Sequence, residues 1–239
     1  MINIVIPMAG KGTRFTNAGY TFPKPLIDVN NKPMIQVVVE NLNITGCHVF
    51  LTLQEHYDQY ALKYLLPLIS EPNKCEIVQV NEVTRGAACT VLLAEDLINN
   101  DDELIIANSD QWVNWDSNHF LGYMHDKKAD GGVLTFNATH PKWSFAKVQE
   151  CTNLITEVAE KKPISNVATV GIYYFRHGKD FVTGAKQMIS KNITTNGEFY
   201  VCPVFNELIN MGKRIYNYPI VEMKGLGTPE DLTQYLAGE

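Results

Sequence analysis

The sequence predicts an α/β protein that begins as a parallel sheet and continues as a mixed, partly antiparallel one. Three observations carry this. Short β-branched runs alternate with segments of helical periodicity as far as residue 107, joined by short connections, the pattern of right-handed crossovers around a parallel sheet. Beyond Asp110, four β-rich runs follow one another with little helix between them. No Pro/Ser-rich linker, internal repeat or low-complexity tract separates the two regimes. The expectation is one domain over residues 1–239, with halves 1–112 and 113–239 and a cleft where they meet.

Taken in order, Asn3–Pro7 reads as a strand leading into a glycine-containing loop. Met34–Leu42 carries apolar residues at helical spacing and stops near Gly46. A strand at Cys47–Leu53 precedes a helix predicted over Tyr57–Ile69, with Leu62, Leu65 and Leu66 on one face. Glu76–Val80 reads as a strand, Gly86–Ile98 as a helix, and Leu104–Ala107 as a strand running into Asn108-Ser109-Asp110. The β-rich runs are Gly131–Asn137, Ala146–Glu150, Ile155–Val158 and Thr169–Phe175. Helices are expected near Lys179–Ser190 and Phe199–Met211, then a last strand over Ile215–Val221.

Composition excludes several classes. The 239 residues are 45% hydrophobic and 19% charged, an ordinary globular balance rather than a disordered or collagen-like one. Twenty Lys+Arg against 26 Asp+Glu give a formal charge of −6, so a sequence-independent nucleic-acid binder is not expected, although a local basic pocket remains open. No apolar run reaches the roughly 18–20 residues that span a bilayer, and the first residues lack the charged and apolar regions of a secretory signal. Five scattered cysteines without a C-x-x-C pair read as buried free thiols in a reduced cytoplasm. The six histidines show no metal-ligand spacing.

Chemistry is signalled first by Met8-Ala9-Gly10-Lys11-Gly12-Thr13-Arg14, directly after a strand. Its glycines permit a sharp turn whose successive N–H groups suit phosphate oxygens, and Arg14 adds a fork of donors. It is neither a Walker A loop nor the dinucleotide G-x-G-x-x-G, because Phe15 stands at the third glycine's place. Alone, such a loop is as readily a plain β–α turn. Phe22-Pro23-Lys24-Pro25-Leu26-Ile27 shifts the balance: two prolines hold Lys24 in a stiff loop, a constraint that suits a lysine facing a phosphoryl group. Asp110 ends an apolar strand, and ligands of open α/β sheets lie beyond the carboxyl ends of strands.

Together, Met8–Arg14 and Pro23-Lys24-Pro25-Leu26 resemble the signature of the sugar-1-phosphate nucleotidyltransferases, a superfamily that includes cytidylyltransferases for non-sugar phosphates. The resemblance implies a GT-A-like, three-layer fold with a mostly parallel central sheet and a smaller β-rich acceptor half. It implies the reaction of an NTP (CTP, UTP or dTTP) with a phosphorylated small molecule to give the NDP-acceptor and pyrophosphate. Arg14 and Lys24 would be catalytic, Met8 to Thr13 would cradle the nucleotide, and Asp110 would hold Mg²⁺. Val83-Thr84-Arg85-Gly86 is similar to the family's nucleotide-recognition turn, which makes Gly86 a base-side candidate. Glu160-Lys161-Lys162-Pro163 resembles the Glu-Lys-Pro element, whose lysine grips the acceptor phosphate, Lys161 being preferred to Lys162. Gly171 and Glu198 match further acceptor-side positions. One departure stands out. Gly225 occupies the place of an aspartate that helps to hold the metal, leaving Glu222, Glu198 or water as substitutes, or reduced activity as the outcome. A sugar 1-phosphate and a role in surface polysaccharide or lipopolysaccharide synthesis are expected, with no long C-terminal β-helix or acyltransferase domain. The alternatives are a phosphocholine- or phospho-amino-acid-like acceptor, or a homologue that binds nucleotide without turnover. Homo-oligomerisation is left open, and Asn-Ser-Asp in place of Asp-x-Asp speaks against a glycosyltransferase.

Overall fold

The computed structural model describes residues 1–238. The first strand, β1 (Ile2–Pro7), is buried over its central four residues. Its side chains alternate between two apolar layers: Ile4 and Ile6 enter one cluster, Val5 the other. The short helix α1 (Thr13–Asn17) and the small hairpin β2 (Asp28–Val29) and β3 (Lys32–Pro33) follow. α2 (Met34–Leu42) starts where predicted, buries Met34, Ile35, Val38, Val39 and Leu42, and ends at Asn43 in the left-handed region. β4 (Cys47–Leu53) is buried along its whole length, as a strand covered on both faces must be.

The helix predicted over Tyr57–Ile69 is two helices, α3 (Gln54–Gln59) and α4 (Leu62–Ser70). The break falls at Ala61, whose φ of +53° ends any right-handed hydrogen-bond ladder. β5 (Lys74–Val80) leads to α5 (Ala87–Leu92) and α6 (Glu95–Ile98), again two helices where one was expected. Gly86 lies outside α5 because its φ is +118°. β6 (Glu103–Ala107) is followed by the short strand β7 (Gln111–Asn114) and by α7 (Ser117–Asp126). α7, a helix the sequence reading did not include, is capped at its start: the Asp116 carboxylate accepts from the N–H groups of Asn118 and His119.

The chain then adds β8 (Gly131–Asn137), β9 (Ser144–Gln149), β10 (Leu154–Glu160), β11 (Val167–Phe175) and the amphipathic α8 (Gly178–Ser190). α9 (Val204–Asn210) is shorter than the predicted Phe199–Met211. The Phe199 N–H and C=O are already bonded to the Arg85 C=O and Ala88 N–H, so that stretch cannot enter the helix. β12 (Ile215–Pro219), β13 (Glu222–Gly225) and α10 (Pro229–Ala237) complete the chain as described.

Nine strands form one sheet in the order β5-β4-β1-β6-β11-β8-β12-β10-β9. Parallel pairing covers β5, β4, β1 and β6 and the pair β8–β12; the other neighbours are antiparallel. The sheet is therefore evenly mixed rather than mostly parallel. It runs through both halves of the chain, between two apolar clusters that include α5, α8 and α9 residues on one face and α2, α4 and α7 residues on the other. This order positions the site. β1 and β6 are adjacent and parallel, so Met8 and Asn108 leave the sheet at the same edge. β11 runs the other way and brings Thr169 to Gly171 to that edge, with Ile172 opposite Ala107. A bridge from Ala168 to Phe145 adds the start of β9. A third small cluster (Phe15, Ile27, Val29, Met34, Leu226 and Leu232) ties α1, the β2–β3 hairpin and α10 together beside this edge.

Candidate active site

Two cavities open at the carboxyl edge of β1 and β6 and share Pro7, Lys24, Ala87 and Ser109 as a common wall. The smaller, about 220 Å³, is lined by Met8, Ala9, Gly10 and Gly12 on one side and Val83, Thr84, Gly86 and Thr90 on the other. The larger, about 520 Å³, is lined by Arg14, Asp110, Gln111, Glu160, Lys161, Gly171 and Tyr200, among others.

Each wall has a local cause. Gly12 caps α1 with φ +63°, and its Cα sits against Lys24, so a β carbon there would meet Lys24 Cβ at 3.2 Å. The two motifs read in the sequence are thus packed on each other. Gly10 is different: it has no left-handed φ, and a β carbon there would meet nothing within 4 Å. Phe15 and Pro25 are buried and hold the neighbouring Arg14 and Lys24 at the cavity wall. Lys11 and Thr13 are exposed and line neither cavity.

At the centre, Lys24 Nζ donates to Asp110 Oδ2 at 2.8 Å, both side chains about one quarter exposed. An ammonium ion on that carboxylate is a cation in the place where the sequence anticipated a metal. A β carbon at Gly227 would lie 2.7 Å from the same oxygen, so Asp110 occupies a cradle that only glycine leaves free. Among the described residues no three His, Cys, Asp or Glu side chains converge as a metal cluster.

Gly86 lines the smaller cavity, but its conformation is set elsewhere. A β carbon there would lie 2.4 Å from the Phe199 oxygen and 2.6 Å from its nitrogen. Glycine is required here by close backbone packing against the Glu198–Tyr200 stretch. Gly171 is similar. Its φ is +95°, and the Asn108 amide and Gln111 side chain fill the space in which the acceptor was expected to approach.

On the acceptor side, Glu160 accepts from Ser144 Oγ and is half-buried; burial raises its pKa above the usual carboxylate range. Lys161 lines the larger cavity with φ +54°, its N–H bonded to the Trp143 C=O at 3.0 Å and its Nζ to the Tyr200 hydroxyl at 2.5 Å. Lys162 is exposed and lines neither cavity. Glu198 lines the smaller cavity rather than the larger, and it accepts from the Tyr200 hydroxyl. That hydroxyl is held protonated by burial and by the Glu198 charge. Of the tryptophans, Trp143 lines the larger cavity, whereas Trp112 and Trp115 face a separate groove.

Lys142, Ser144, Tyr200 and Asp231 also line the larger cavity, and of these Asp231 is the one to which the sequence reading gave no role. Asp231 Oδ1 accepts from Lys142 Nζ at 3.1 Å. A signal for Asp231 was present. Thr228-Pro229 is an N-cap followed by proline at the first helical position, which fixes Asp231 in the first turn of α10. Of the side chains considered as substitutes for position 225, Glu222 is exposed and 3.6 Å from Lys224, and Glu198 lines the smaller cavity.

No helix of the described residues is long and apolar enough to cross a membrane. The sequence profile described as "Nucleotidyl transferase" matches residues 4–234. Among curated relatives, the bifunctional protein GlmU of Methanocaldococcus jannaschii is 27% identical over 176 residues, covering 73% of this chain and 40% of the relative. The chain spans less than half the length of the curated relatives it matches. A crystal structure of a nucleoside-diphosphate-sugar pyrophosphorylase from Vibrio cholerae RC9 superimposes with a TM-score of 0.83 at 25% identity, over 98% of this chain and 99% of that one. A UDP-glucose pyrophosphorylase complexed with UDP-glucose gives 0.80 at 20% identity, over 100% and 98%, a likeness of fold. With a two-cavity site at the strand edge and a profile match over nearly its whole length, the chain belongs to the nucleotidyl transferase family.

Proposed function

We propose that this chain transfers a nucleotidyl group from an NTP to a phosphorylated small molecule, in the first instance a sugar 1-phosphate, releasing pyrophosphate. The observation that supports this most directly is the pair of adjoining cavities with Lys24 in their common wall. One cavity would take the nucleoside and the other the acceptor, so that the reacting phosphates meet at Lys24. A phosphate monoester is already anionic and needs no strong general base. The difficulty is electrostatic: two like charges at 4 Å repel by about 4 kcal/mol at an effective dielectric near 20. Arg14, Lys24, Lys142 and Lys161 supply four cations to the larger cavity. The N–H groups of the Gly10–Thr13 loop would cradle the triphosphate, Arg14 would hold the departing pyrophosphate, and Lys161 the incoming phosphate. Asp110, whose carboxylate already carries the Lys24 ammonium, would hold Mg²⁺. Such an ion, when bound, would supply positive charge against that of the phosphates.

CTP, UTP or dTTP is the proposed donor, within a GT-A-like three-layer fold, in a cytoplasm that keeps the five free cysteines reduced. Surface polysaccharide precursor synthesis is the proposed setting. One observation favours a second acceptor class. Trp143 and Tyr200 line this cavity, and aromatic rings are what a phosphocholine-like acceptor would require. A panel of NTPs against sugar 1-phosphates, phosphocholine and phosphorylated amino-acid derivatives, read by pyrophosphate release, tests both. Release with no pair discards the transferase reading and leaves a nucleotide-binding homologue.

A further inference from the structure

Gly225 offers no side-chain ligand where the resemblance requires a carboxylate, yet the space beside it is not empty of one. A β carbon at Gly225 would lie 3.4 Å from Asp231 Oδ2, while one at Gly227 would lie 2.7 Å from Asp110 Oδ2. Between them Leu226 is wholly buried, packed in the cluster with Met34 and Leu232. Gly225, at the end of β13, and Gly227, just beyond it, both line the larger cavity. The two carboxylates therefore approach one short stretch of backbone from the cavity side, their contact points about 7 Å apart along it.

Asp231 is firmly placed. Its N–H donates to Thr228 Oγ1 at 3.1 Å, and its side chain is only 19% exposed. Each aspartate carries one ammonium group: Lys24 on Asp110 at 2.8 Å and Lys142 on Asp231 at 3.1 Å. A divalent ion taking the place of these ammonium groups would free both lysines for phosphate oxygens. Oxygen donors from one or two carboxylates, completed by phosphates and water, are what Mg²⁺ selects.

We propose that Asp231 supplies the second carboxylate toward the divalent cation, taking over the part that Gly225 cannot play. The proposal rests on the nucleotidyl-transfer reading for the identity of the ion, and its test does not depend on turnover. Mn²⁺ is titrated into the full chain and the free ion followed by its paramagnetic resonance signal. Asp231→Asn keeps the helix cap and removes the charge; it should weaken Mn²⁺ binding at least about tenfold. Gly225→Asp added to that variant should restore most of the loss. Position 225 has space for it, since φ there is not left-handed and the nearest atom is that of residue 231 itself. Mn²⁺ affinity unchanged in Asp231→Asn overturns the proposal, and so does a loss that Gly225→Asp fails to recover. A wild type that binds Mn²⁺ through Asp231 but releases no pyrophosphate with any substrate pair overturns the transferase reading instead.

Discussion

Alanine at Gly86 should destabilise the protein by about 3 kcal/mol, whereas alanine at Gly10, across the same small cavity, should leave stability unchanged. At Gly86 two effects combine. A side chain at φ +118° is strained by roughly 1–3 kcal/mol, and forcing a methyl into filled space costs a similar roughly 1–3 kcal/mol. The filled space is backbone: the new carbon would stand 2.4 Å from the Phe199 oxygen and 2.6 Å from its nitrogen. Those atoms cannot withdraw without stretching the bonds to Ala88 N–H, 3.0 Å, and Arg85 C=O, 2.7 Å. At roughly 2–4 °C per kcal/mol for a chain of this size, the melting temperature should fall by about 6–12 °C. Calorimetry on the two variants, with nucleotide binding measured alongside, is the assay. Gly10→Ala should melt like wild type and bind nucleotide more weakly, because its methyl enters the smaller cavity. A Gly86→Ala protein melting within about 2 °C of wild type would refute the packing argument.

Three further expectations concern single side chains. His48 is buried with both ring nitrogens lacking a partner among the described residues, and burial lowers its pKa from 6.5 to about 4. The unfolded chain binds that proton first, so the contribution of neutral His48 is intact above pH 6.5 and lost as pH falls toward about 4. The full loss is roughly 3 kcal/mol, and His48→Phe should flatten the pH dependence of melting across that window; an unchanged slope counts against it. Lys24→Met and Asp110→Asn should each keep the melting temperature and lower pyrophosphate release by roughly 10²–10³-fold, with wild-type rates in both discarding the assigned roles. Glu160→Gln should raise the acceptor KM more than it lowers kcat. Because burial raises the Glu160 pKa, acceptor affinity in the wild type should begin to fall at a higher pH than an ordinary carboxylate gives, and the glutamine variant should lack that limb of the profile.

Much of the frame was legible because it depends on local pattern. Val5 and Ile6 alternate in a strand, Met34 to Leu42 repeat at helical spacing, and prolines 23 and 25 mark a stiff lysine loop. What escaped depends on distant partners. Nothing near Ala61 announces a left-handed residue, and nothing within Phe199–Val201 says that its backbone is taken by Arg85 and Ala88. That the sheet continues as a partly antiparallel one was legible, but which strands pair and in which direction was not, since strand direction in β11 is set by β6 and β8, not by its own residues. At the site, motif order located Lys24, Asp110 and Lys161, while Lys142 and Asp231, 89 residues apart, meet only in three dimensions. Gly86 and Gly171 were legible as candidates, while the protein atoms packed against each, which exclude a side chain there, come from residues distant in sequence.

The seam between Gly86 and Phe199 also bears on re-engineering. The turn over one cavity and the stretch shaping the other are stitched through two backbone hydrogen bonds and the Arg85 guanidinium stacked 4.9 Å from the Phe199 ring. A chimaera that imports a foreign acceptor loop at 195–202 while keeping the native 83–88 would join surfaces shaped for different counterparts. Donor and acceptor preference would have to be exchanged as one cassette of two chain segments.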